Sequence, residues 1–135
     1  IRVVEGQAEA LPWREGAFDH ALVVTTICFV DSAPAMLAEA FRVLRPGGHL
    51  NIGFVDRESA LGADYLAHQH ESVFYREATF FSAGEVERLL VEAGFTLDAW
   101  GQTLSRPLPA IDSIEPLRPG RGEDAFVVAA ARRPG

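Results

Sequence analysis

The residues whose types could do chemistry gather in a few short stretches. Open α/β sheets bind ligands at the carboxyl ends of their strands, and two such ends are expected here, at residues 5–9 and 24–29. The first lies in GQAEALPW, residues 6–13. Read for structure alone, this is a polar turn with Leu11 and Trp13 packing back. The second end brings Val24, the hydroxyls of Thr25 and Thr26, and the ring of Phe29. Two β-branched residues are also ordinary strand formers, and Phe29 is also an ordinary core aromatic. His68-x-His70-Glu71 has the residue types of a metal site. A structural zinc takes four ligands, and no Cys lies nearby, so solvated helix positions are expected there. Cys28, the only cysteine, excludes an internal disulfide and is expected to be buried and inert in its apolar strand. No G-x-S-x-G, P-loop or G-x-G-x-x-G occurs. No residue stands out as catalytic.

The elements that must position these residues are legible. Residues 38–55 read AEAFRVLRPGGHLNIGFV. Leu37, Phe41 and Leu44 fall at i, i+4 and i+7, one face of a helix. Arg42 and Arg45 suit the carboxyl end of its dipole. Pro46 stops the helix, and Gly47 and Gly48 allow unusual backbone angles. Leu50, Ile52 and Phe54 then alternate as a strand does. Asp31 or Ser32 caps the helix, with Pro34 in its first turn. Residues 1–5 and 18–26 read as strands, the second apolar enough to be covered on both faces. Residues 60–71 are read as helical. Ser82-Ala83-Gly84-Glu85 is a capping box, and Gly94 ends the helix behind it. Residues 95–100 read as a strand, 104–122 as a long loop, and 124–131 as a last strand. The alternation predicts an α/β three-layer domain with right-handed crossovers.

In order and spacing, three segments carry a family resemblance: GQAEALPW (residues 6–13), AFDHALVV (17–24) and RVLRPGG before a strand (42–48). Together they resemble class I S-adenosylmethionine-dependent methyltransferases, over residues 1–95 at least. The resemblance implies a Rossmann-like three-layer sandwich, a mostly parallel sheet with an antiparallel C-terminal strand beside the fifth. It implies S-adenosylmethionine as cofactor. The adenine would meet Gln7, where the family often has an acid, and the Ala8 N–H. The methionine amine would meet carbonyls of Val24 and Thr25, and Phe29 would lie near the transferring methyl. A substrate lid would occupy the region of His70, Glu71 and Tyr75. The family's glycine-rich turn and ribose-binding acid belong to segments before Ile1. The chain, opening on Ile1 without Met, is therefore expected to be a single partial domain, residues 1–135, the C-terminal portion of a longer enzyme and inactive alone.

Composition narrows the partners. Nineteen acidic against twelve basic residues, a net charge of −7, argue against nucleic-acid or anionic-membrane binding by bulk charge. Every basic residue is Arg, which reads as genomic bias. No run approaches a membrane span, so a cytoplasmic enzyme with a small-molecule substrate is the expectation. With the N-terminal strands missing, residues 18–26 would have an open edge. That predicts a homodimer joined there, or direct pairing of residues 1–5 with 18–26. The rival readings are a nucleotide-dependent oxidoreductase fragment and a non-catalytic methyltransferase-like interaction module.

Overall fold

Leu50, Ile52 and Phe54 alternate along one strand and are almost wholly removed from solvent. The computed structural model describes residues 1–135 and places them on β2 (Leu44–Val55), inside a five-stranded sheet. β1 (Phe18–Val24) runs parallel to β2, and β5 (Phe126–Arg132) runs antiparallel on its other side. β3 (Thr96–Thr103) pairs antiparallel with β5, and the short β4 (Arg118–Pro119) lines the far edge. The order is therefore β1-β2-β5-β3-β4, with the last strand inserted in reverse as the resemblance implies. Val127, Ala129 and Ala131 of β5 continue the buried face, and Phe126 and Val128 share the opposite one.

Three α-helices follow the periodicity: α1 (Ala33–Val43), α2 (Ala60–Ala67) and α3 (Ala83–Glu92). α1 and α3 lie against each other and against the buried face of the sheet. Leu37, Leu44, Val86 and Leu90 are fully buried there. Burying each such side chain stabilises the fold by about 1.5–3 kcal/mol. Phe41 stays half-buried, edge-on to Phe95 at 5.2 Å. Ser32, not Asp31, caps α1, its Oγ accepting from the Ala35 N–H at 3.2 Å. The capping box of Ser82 and Glu85 forms on α3, and Gly94 follows at φ +99°.

Several expectations need correction. Residues 1–5 form no strand, and they do not pair with 18–26. Ile1 and Val3 are exposed, and no neighbouring strand offers them a ladder, without which extended backbone bonds only to water. β1 ends at Val24 and is covered on one face only: Ala21 and Val23 meet the core while Leu22 and Val24 are exposed. Cys28 consequently lies beyond the strand and is half-buried. The Pro-Gly-Gly stretch is a bulge inside a strand pairing rather than a loop before one. Phe18 pairs with Leu44 and His20 with His49, so residues 45–48 are thrown out of register. Gly48 is required there: a Cβ would lie 2.9 Å from the Arg45 carbonyl and 3.1 Å from that of Asp19. Arg42 lies in the last turn of α1 as expected and pairs with Glu39 at 2.7 Å, whereas Arg45 lies past the helix, in β2, and pairs with Asp19 at 2.5 Å. Arg133 serves the helix-end carbonyls, donating to those of Phe41 (3.0 Å) and Leu44 (2.7 Å) with its guanidinium over the Phe41 ring. The 104–122 loop contains a 3-10 turn (Leu108–Ala110) as well as β4.

Candidate functional site

The parallel pair β1 and β2 ends at a sharp turn. Thr25 donates its N–H to the Gly53 carbonyl at 2.8 Å, the last bond of that pairing, and then adopts φ +47°. A β-branched residue in the left-handed region is strained by about 1–3 kcal/mol and persists only where its surroundings impose it. Here the Thr26 hydroxyl donates to the Val24 carbonyl at 3.0 Å. The Phe29 N–H donates to the Thr26 carbonyl at 2.9 Å, and the Cys28 thiol lies 3.6 Å from the Thr25 carbonyl. Burial pushes the Cys28 thiol pKa up, so it keeps its proton. The turn swings the chain outward, leaving Phe29 about half exposed, before α1 begins.

The 6–16 loop is tied to α1. One Glu9 carboxylate oxygen accepts from the Asp31 N–H at 2.8 Å and the Ser32 N–H at 3.4 Å. Glu39 accepts from the Leu11 N–H at 2.7 Å, and Arg42 donates to the carbonyls of Leu11 and Trp13. The Arg42 guanidinium and the Leu11 N–H hold the Glu39 carboxyl down to about 2. Within this anchored loop Gln7 and Ala10 form a single β-bridge. The Ala8 N–H and the Gln7 side chain bond to nothing in the chain. A free main-chain donor beside a free amide can bond the edge of a purine.

An apolar cavity of about 260 Å³ opens beside the turn, with Thr25, Cys28 and Phe29 on one side. The segment after α2 supplies Tyr75, Phe80 and Phe81 on the other. The two sides are joined by the Thr79 N–H, which donates to the Cys28 carbonyl at 2.7 Å. Gln69 holds the loop behind Tyr75: its Nε2 donates to the carbonyls of Ala78 (2.6 Å) and Tyr75 (2.9 Å). The Tyr65 and Tyr75 rings stack with centroids 4.7 Å apart. Burial and the neighbouring Tyr75 hydroxyl raise the Tyr65 pKa.

Of the residues singled out from the sequence, Thr25 and Phe29 reach this cavity, with Val24 immediately before them. Gln7 and Ala8 belong to the loop pinned by Glu9 to the start of α1, just after Phe29. Tyr75 lines the cavity, while His70 and Glu71 are exposed and do not. No group of three or more His, Cys, Asp or Glu gathers at metal-binding distance. His68 instead contacts Asp64, whose backbone carbonyl chiefly raises the His68 pKa. Sequence reasoning missed Glu9 and Gln69, and gave no role to the ring of Tyr65. The aromatic density of residues 65–81 was the available signal for the last of these.

Comparison with known proteins agrees with the geometry. Residues 1–52 match the family model described as a methyltransferase domain. The crystal structure of a Thermotoga maritima SAM-dependent methyltransferase, described as a possible histamine N-methyltransferase, superposes with a TM-score of 0.96 at 46% identity. That match covers 98% of this chain and 64% of the other. An uncharacterised Methanocaldococcus jannaschii protein is 37% identical over 133 residues, again 98% of this chain and 64% of the relative. An O-methyltransferase of Pyrenophora dematioidea is 30% identical over 113 residues, 83% of this chain and 38% of that protein. The chain thus spans under two thirds of the length of these relatives. No helix is long and apolar enough to cross a membrane. A reversed last strand, an open strand end and these matches converge on one assignment: the chain belongs to the class I S-adenosylmethionine-dependent methyltransferases.

Proposed function

We propose that the complete protein transfers a methyl group from S-adenosylmethionine to a small-molecule acceptor. The observation that carries this reading is the strained turn at Thr25, where the end of β1 meets an aromatic cavity. Bound S-adenosylmethionine supplies an electrophilic methyl on a sulfonium centre. The free Ala8 N–H and the Gln7 amide would hold the adenine. The Val24 carbonyl accepts one bond from Thr26 and keeps a second lone pair for the methionine ammonium, with the Thr25 carbonyl beside it. Phe29 would border the methyl. Transfer is an in-line displacement, so positioning and exclusion of water carry the rate and no dedicated base is assigned. The Thermotoga maritima relative, described as a possible histamine N-methyltransferase, supports a small amine among the acceptors.

The test is titration calorimetry of the full-length protein with S-adenosylhomocysteine, alongside Ala8→Pro. Losing the Ala8 donor should weaken binding by on the order of tenfold or less, since a lost hydrogen bond costs about 0.5–1.5 kcal/mol. Circular dichroism checks folding, because proline also restricts Gln7. Unchanged affinity in a folded Ala8→Pro variant removes this loop from the site. No binding by the unsubstituted protein ends the methyl-transfer reading.

A further inference from the structure

We propose that the aromatic cavity beside Thr25 is the acceptor site, and that it selects an amine carried on a flat apolar body. The inference rests on the methyl-transfer reading and deepens it. Size sets the first limit. A cavity of about 150 Å³ takes benzene, so 260 Å³ suits one ring with a short chain. The walls set the second. No Arg or His lines the cavity, so an anionic acceptor would bury its charge without a partner.

The rings set the third. Tyr75 stacks on Tyr65, lies nearly parallel to Phe29 at 6.4 Å between centroids, and has Phe80 at 6.0 Å. Aromatic faces attract a cation. The surrounding charge has the same preference: residues 56–81 carry five carboxylates against two arginines, and Arg57 is paired with Glu85. The cavity is also built to hold its shape, through Gln69 and through the bond from Thr79 to Cys28.

The chemistry fits these walls. Neither Cys28 nor Tyr65 is poised to remove a proton, since both pKa values are raised. An amine needs no such help. Its ammonium form releases a proton to water at the mouth, where Phe74 is exposed. The nitrogen lone pair then forms the N–C bond while the C–S bond breaks and its electron pair goes to sulfur. The product is a methylated ammonium and a neutral thioether, and the aromatic faces favour the cation formed.

Titration calorimetry on the full-length protein decides it, with S-adenosylhomocysteine present and three probes on one ring: 2-phenylethylamine, 2-phenylethanol and 3-phenylpropionate. The amine should bind about tenfold tighter than the alcohol, within the span of a desolvated cation–π contact, and the carboxylate should not bind. Tyr75→Leu should weaken amine binding about tenfold, while Tyr75→Phe, which keeps the face, stays within roughly threefold. Both should bind S-adenosylhomocysteine as the unsubstituted protein does. Equal binding of the alcohol or carboxylate overturns the proposal, as does a folded Tyr75→Leu variant that keeps full amine affinity. If Tyr75→Leu does not fold, Tyr65→Leu replaces it, and the three-probe series still decides. Loss of S-adenosylhomocysteine binding alone strikes the methyl-transfer reading; loss of amine selectivity with that binding intact strikes only this one.

Discussion

Gln69→Glu should loosen the aromatic side of the cavity without unfolding the core. The Gln69 amide has two hydrogens, and both are used at short range, on the carbonyls of Ala78 (2.6 Å) and Tyr75 (2.9 Å). A third contact, to the Arg76 carbonyl at 3.4 Å, is weak. Glutamate has the same shape and no hydrogen to give. Each lost bond costs about 0.5–1.5 kcal/mol, so two cost roughly 1–3 kcal/mol. Gln69 is half-buried, so the glutamate carboxylate can turn to water rather than face the carbonyls, which holds the cost near the lower half of that range. At 1.4 kcal/mol per factor of ten, about 1–2 kcal/mol predicts a five- to thirtyfold loss of local protection. The amides that should report it are Ala78, bonded to the Tyr75 carbonyl at 3.0 Å, and Thr79, bonded to Cys28. Hydrogen exchange followed by NMR reads them individually. The amides of Val86 and Leu90 on α3 serve as the control, because no Gln69 bond reaches them. Unchanged protection at Ala78 and Thr79 in the folded variant would refute the assignment of Gln69 as the staple. Equal loss across α3 would show a global effect instead.

Other outcomes follow from the same contacts. Ser82→Ala removes the acceptor for the Glu85 N–H (3.2 Å) and should cost about 0.5–2 kcal/mol in urea unfolding; no measurable shift sinks the capping box as a stabilising device. Gly62→Ala would drive a Cβ into the Asp56 carbonyl oxygen, which already accepts from the Ser59 N–H and hydroxyl. It should destabilise by about 1–3 kcal/mol, read as a lower Tm, and an unchanged Tm would mean the turn opens freely. Acid should act through Glu39, whose carboxyl is held down from 4.5 to about 2 by Arg42 and the Leu11 N–H. A depressed carboxyl stabilises the fold above its unfolded-state value, and that contribution is lost as pH falls from about 4.5 toward 2. Glu39→Gln should therefore be less stable at neutral pH and flatter across that window, measured as urea midpoints against pH. Parallel curves for the two proteins would disprove the linkage.

The regular part of the fold was legible because its cause is periodic. Leu50, Ile52 and Phe54 alternate, and α3 announces itself with Ser82 and Glu85 before it is packed against anything. Such signals survive because burial and capping act through neighbours close in sequence. Residues 1–5 failed for the opposite reason. Ile1, Val3 and Val4 have strand composition, but a strand is made by its partner, and no ladder forms there. Arg133 failed likewise: it lies 89 residues from the Leu44 carbonyl it serves, a distance at which local patterning says nothing.

The candidate site divides along the same line. One side was read as two strand ends, because topology places ligands there; the end of β1 at Val24 forms, whereas residues 5–9 follow no strand and belong to a loop. The aromatic side was visible only as an excess of rings in residues 65–81 with no period to assign them. What converts those rings into a wall is a handful of tertiary bonds: Thr79 to Cys28, Gln69 to the carbonyls of Tyr75 and Ala78, and Arg57 to the Phe81 carbonyl. Each is worth only about 1 kcal/mol, and none has a sequence signature. The sheet and α3 are secured by fully buried side chains, and the segment bearing Tyr75 by these bonds together with the buried Phe80 and the Tyr65–Tyr75 stack. On this construction, substitutions in the β2–β5 face should lower stability throughout the fold, and substitutions at Gln69 or Tyr75 should alter binding first.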